Sequence, residues 1–129
     1  MDEIVAAKRR IAAFYDQAFA GCSDLQLPLE RPWAGNVYWM YHVLLQGRFA
    51  GRRVEVMASL SKRGIESREC FVPFNQQELF LQQGLTRADA CPVANDVAPR
   101  GLYLPSGIDL TDEDLSYVAQ QLRELLAAA

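Results

Sequence analysis

Hydrophobic and polar positions change period along this chain, and each change marks an element. From Asp2 to Ala20, Ile4, Ala7, Ile11, Phe14 or Tyr15, and Ala18 recur at helical spacing, with Lys8, Arg9, Arg10 and Asp16 largely elsewhere. Asp2 and Glu3 suit the positive end of that helix, and Gly21 suits its stop. Asn36 to Leu45 then runs without Pro, Gly or charge and carries three aromatics between turn formers. A buried helix shows a similar apolar run; the aromatic content and the glycine flanks favour a strand, central in its sheet. Alternation puts Trp39, Tyr41, Val43 and Leu45 on one face and Tyr38, Met40, His42 and Leu44 on the other.

The remaining elements follow from the same reading. Leu25 to Leu29 predicts a short strand, and Pro28 assigns it to a sheet edge. Arg53 to Arg63 predicts a helix with Val54, Met57 and Leu60 as its stripe and Gly64 as its stop. Ile65 to Val72 predicts a second strand, so strand, helix and strand form a β-α-β unit. Short helices are predicted over Gln76 to Gln83 and Ala90 to Arg100, then an extended Leu102 to Pro105. Thr111 opens the last helix as N-cap, with Asp114 at N3 and Leu110 and Leu115 placed for a hydrophobic staple. Its buried stripe is Leu115, Val118, Leu122 and Leu125 or Leu126.

Composition narrows the picture. At 129 residues, half of them hydrophobic, the chain predicts one α+β domain, a small sheet of about three strands with helices packed on it. Its net charge of -3 argues against a nucleic-acid surface, and Lys8-Arg9-Arg10 on a helix reads as a solvated face. Cys22, Cys70 and Cys91 are too far apart for a C-x-x-C pair, and His42 alone cannot complete a zinc set. Reduced, buried thiols in a cytoplasmic protein without a membrane span are the expectation, and no metal is.

Phosphate-loop, dinucleotide, nucleophile-elbow and zinc-protease motifs are absent. Asp112-Glu113-Asp114 reads as a helix start. Arg68 and His42 leave open an acid-base or anion pair on the one hand and ordinary structural roles on the other. Without a visible nucleophile-base pair, no catalytic residue is assigned.

Four segments in order carry a resemblance: Val37-Tyr-Trp-Met-Tyr41, Arg63-Gly-Ile-Glu-Ser-Arg68, Phe71-Val-Pro73, and Arg100-Gly-Leu-Tyr-Leu-Pro-Ser-Gly107 followed by Leu110-Thr111. Together they resemble the C-terminal portion of the DegT-type sugar-nucleotide aminotransferases, within that family its GDP-perosamine synthase branch. The resemblance covers essentially the whole chain. It implies the small domain of the aspartate-aminotransferase fold, which closes over a sugar nucleotide while a large domain holds pyridoxal phosphate (PLP) on a Schiff-base lysine. It also implies an active site at a dimer interface. Carried over residue by residue, the substrate contacts it implies are Trp39, Met40, Arg68 and Asn75.

Two departures qualify what the resemblance implies. Lys8 and Lys62 are the chain's lysines, and neither lies in anything like the family's cofactor segment, so no cofactor-binding residue is assigned and no activity is expected of this chain by itself. Where family members often carry a histidine, this chain has Asn75; Gln77 and Phe80 persist and Glu78 replaces a proline. Asparagine still bonds a sugar hydroxyl but carries no proton near neutral pH. The leading expectation is therefore the C-terminal domain of a PLP-dependent sugar aminotransferase, and the alternative a non-catalytic assembly module. That module would pair with itself or with an intact aminotransferase through a bared apolar face.

Overall fold

A computed structural model describes residues 1–128. Helix α1 (Asp2–Ala18) leads through a turn at Gly21 into β1 (Leu25–Gln26), then β2 (Tyr41–Leu45), α2 (Arg53–Lys62) and β3 (Arg68–Glu69). The short α3 (Glu78–Gln82), α4 (Pro92–Arg100), β4 (Gly101–Leu104) and α5 (Asp112–Ala127) complete the order. The sheet has four strands in the order β1-β2-β4-β3, all neighbours antiparallel. The strand beyond the expected three is β4, where only an extended segment was predicted. The two-residue β1 lies at the expected edge and is shorter than predicted, with Pro28 after it costing no ladder bond.

Because β2 and β3 are both antiparallel to β4, they run parallel to each other with β4 between them. The predicted β-α-β unit is thus a split one, its gap filled by the chain's last strand. Leu102 and Leu104, two residues apart, reach the core face alongside Val43 and Tyr41.

β2 is half the predicted length, for a local reason. The side chain of Asn36 accepts the backbone N–H of Tyr38 at 2.9 Å, and Tyr38 adopts a φ of 47°. This Asx turn competes with the ladder and breaks the alternation. Tyr38 consequently joins the core, whereas Trp39 leaves its predicted face and is 64% exposed. Tyr41, Val43 and Leu45 keep theirs. β3 is also short: only Arg68 and Glu69 join the ladder, while Ile65 folds back so that its N–H donates to the Leu60 carbonyl at 3.0 Å. Gly64, at φ 77°, makes that helix ending possible.

α1, α2 and α5 cover the core face, and the packing corrects some predicted stripes. In α2 the buried pair is Val56 and Leu60, while Val54 is 74% exposed. Both stripes have helical spacing, and docking against α5 selects the one that is used. In α1 burial begins at Ile11, leaving Ile4 exposed. The start of α5 matches its prediction. Thr111 Oγ1 accepts the Asp114 N–H at 3.1 Å, and the Thr111 N–H donates to Asp114 Oδ2 at 2.9 Å. Cys22 and Cys70 are half-buried thiols, but Cys91 is exposed, because its stretch before α4 lies outside the core. Among the described residues, no group of side chains is placed to hold a metal, and no helix is long and apolar enough to cross a membrane.

Candidate functional site

The sheet face opposite the core carries a row of polar and aromatic side chains. The ladder pairs His42 with Tyr103 and Tyr103 with Arg68, so the three share one row across β2, β4 and β3. A string of rings runs along this face. Trp39 stacks nearly parallel to Phe71 (centroids 6.3 Å, 8° between planes), Phe71 meets Tyr103 at 5.8 Å, and Tyr103 meets His42 at 4.8 Å. Phe71 is as exposed as Trp39. At the N-terminal end of β2 lies a cleft of about 280 Å³, lined by Met40, Glu66, Arg68, Tyr103, Leu104, Pro105 and Ser106.

Of the predicted contacts, the structure brings Met40 and Arg68 into this cleft and puts Trp39 beside it through Phe71 and Tyr103. Arg68 donates to Glu66 Oε1 at 3.1 Å, and both side chains are well exposed. A pair of that kind is worth little, so Arg68 is available to an anionic ligand at small cost. Asn75 is placed elsewhere. It is 1% exposed, and its amide donates to the Ala88 carbonyl at 2.9 Å and to Asn95 Oδ1 at 2.8 Å. The structure therefore uses Asn75 to fasten the turn after β3 to α4 and the segment before it.

Arg68 and His42 do not meet, since Tyr103 stands between them and two strand spacings amount to roughly 10 Å. Burial holds the His42 imidazole below its ordinary pKa, and its Nε2 has no hydrogen-bond partner. It is neutral at pH 7 and serves as a packed ring. Burial, and then the nearby Cys70 thiol, push the Tyr103 phenol up, so it stays protonated. Its oxygen lies 4.0 Å from Cys70 Sγ.

Sequence reasoning missed Tyr103, Ser106 and Phe71 as site residues and Lys8 as their neighbour. Tyr103 and Ser106 lie in a recognised motif, but which strand receives that motif is a matter of long-range pairing. Lys8 donates to the Trp39 carbonyl at 3.0 Å and to the Ser106 carbonyl at 2.5 Å. It is half-buried, not part of a solvated face.

Comparison with known proteins decides the family. Residues 1–123 match the model of the DegT/DnrJ/EryC1/StrS aminotransferase family. The chain belongs to that family. It is 29% identical over 123 residues to a GDP-perosamine synthase of Vibrio cholerae, covering 95% of this chain and 33% of the relative. A GDP-perosamine synthase of Caulobacter vibrioides is 31% identical over 130 residues, covering 98% and 33%. A UDP-N-acetyl-3-dehydro-alpha-D-glucosamine 3-aminotransferase of Acidithiobacillus ferrooxidans is 32% identical over 120 residues, covering 92% and 30%. The chain thus spans about a third of the length of the curated relatives it matches. Among solved structures, the aminotransferase TlmJ of Streptoalloteichus hindustanus superposes with a TM-score of 0.79 at 28% identity, covering 96% of this chain and 32% of that one. DesV of S. venezuelae gives 0.85 at 25%, covering 97% and 32%. This chain is a member of that aminotransferase family with the α+β fold of the parts of those structures it superposes on, and the comparisons lend no support to a stand-alone assembly module.

PLP is the family's cofactor, and the residues present do not fit it. Lys8 Nζ is tied to the Trp39 and Ser106 backbone carbonyls between two strands, so it is held as a structural donor there. Lys62 stands exposed in the last turn of α2. No chemical step through the cofactor is derived from this chain.

Proposed function

We propose that this chain is the C-terminal small domain of a PLP-dependent aminotransferase acting on a nucleotide-linked keto-sugar in the cytoplasm, of the kind that makes perosamine. The cofactor and its lysine belong to a large domain outside this chain, and the chain is inactive by itself. One observation carries the reading: Met40 and Arg68, named from two separate motifs, line one cleft on the open face of the sheet. In this account Arg68 faces the phosphates of the sugar nucleotide, as a planar cation suits. Met40 and Trp39 supply the apolar wall. Asn75 acts through the turn it fastens rather than by contact. The exposed Trp33, Trp39, Phe71 and Phe74 form the surface that meets the large domain and, in the assembled enzyme, a second subunit.

The test is a chimera in which this chain replaces the matching C-terminal third of the Vibrio cholerae GDP-perosamine synthase. The expected result is retained amino transfer to the relative's keto-sugar nucleotide, with Arg68→Gln raising KM far more than it lowers kcat. A folded, cofactor-loaded chimera with no affinity for the sugar nucleotide contradicts the proposal.

A further inference from the structure

The ladder between β2 and β4 ends at Tyr41 and Leu104. Continued in the same register, it would pair Met40 with Pro105 and Trp39 with Ser106. It stops because Pro105 has no N–H to give and because Tyr38, at φ 47°, turns the other strand away. The two strands fork there, and the fork is the inner end of the cleft, with Met40 on one side and Pro105 and Ser106 on the other.

Lys8 fills that fork from α1. Its ammonium donates to the Trp39 carbonyl at 3.0 Å and the Ser106 carbonyl at 2.5 Å, and Ser106 Oγ lies 3.5 Å away. Those two carbonyls belong to the residues the interrupted register would have paired, so one side-chain cation takes the place of the missing backbone rung. Tyr15, on the same helix, donates to the Pro105 carbonyl at 2.8 Å and holds the same side from below. A compact ammonium with three donors suits two converging carbonyls better than a planar guanidinium does.

We propose that Lys8 is a positioning residue: it sets the separation of Met40 and Ser106, and with it the width of the cleft. What the cleft holds rests on the function proposed above; the latch itself does not. A Trp33→Phe background leaves Trp39 as the lone tryptophan. In that background, acrylamide quenching reports on Trp39 and titration with GDP reports on the cleft.

Lys8→Met is expected to raise the quenching of Trp39 toward that of a free indole and to weaken GDP binding about tenfold, as loss of charged hydrogen bonds does. Arg10→Met removes a charge from the same helix together with its 2.5 Å pair to Asp112, and is expected to change neither. Unchanged Trp39 quenching in Lys8→Met overturns the latch, as does an equal response in Arg10→Met. Raised quenching with undiminished GDP affinity also overturns it, while leaving the reading of the cleft intact. A parent chain that takes no GDP overturns that reading, and the quenching pair then decides the latch alone.

Discussion

The Cα of Gly101 lies directly against the imidazole of His42, so that a methyl group built there collides with Nε2 and crowds Cys70 Cβ. Gly101 has ordinary extended backbone, φ -83° and ψ 138°, so the demand for glycine is one of space and not of conformation. Gly101→Ala is expected to cost about 1–3 kcal/mol of stability as an overpacking change. His42→Ala should recover part of that loss in the double variant, read from chemical denaturation as a double-mutant cycle. Strict additivity would contradict the contact.

His42 also predicts a pH dependence. Burial lowers its pKa, so between the ordinary value of about 6.5 and the lower folded value the unfolded chain holds more protons. Its contribution to stability is full above the ordinary value and is lost as pH falls through that window. Urea midpoints measured from pH 7.5 down to 5 should fall more steeply in the parent than in His42→Leu. Parallel profiles would contradict the assignment.

At the start of α5, Thr111→Ala is expected to destabilise by about 0.5–2 kcal/mol through loss of the cap. Hydrogen bonds from the Thr111 hydroxyl and amide hold the Asp114 carboxyl below the usual carboxylate range. The stability this lends is present above that range and disappears as pH drops through the lowered value. The pKa of Asp114, followed by carboxyl NMR, should rise toward the ordinary value in Thr111→Ala.

Asn75 separates fastening from contact. Asn75→Ala removes two donated hydrogen bonds at a buried site and is expected to cost about 1–3 kcal/mol. Its effect on GDP affinity in calorimetry should be small beside that of Arg68→Gln. An affinity loss equal to that of Arg68→Gln, with stability intact, would restore Asn75 as a contact.

How much was legible in the sequence follows from where the information is local. The cap at Thr111 and the stop at Gly64 rest on neighbours in sequence and are in the structure, and so is an edge strand starting at Leu25, though it ends at Gln26 rather than Leu29. The predicted β2 is too long because an aromatic run looks like strand to its end, whereas one hydrogen bond from the Tyr38 N–H to the Asn36 side chain turns Tyr38 out of the ladder. The choice between Val54 and Val56 in α2 belongs to α5, 50 or more residues away in sequence. Met40 and Arg68 came from motif resemblance. Tyr103, which lies between Arg68 and His42, became visible only once β4 was seen to insert between β2 and β3.

The cleft can be tested on the chain as it stands by following the methyl resonance of Met40 while GDP is added. The account predicts a saturable shift of Met40, larger than those of Met1 and Met57, that disappears in Arg68→Gln. A Met40 signal that stays in place while GDP binds, or one that moves equally with and without the Arg68 guanidinium, would contradict it.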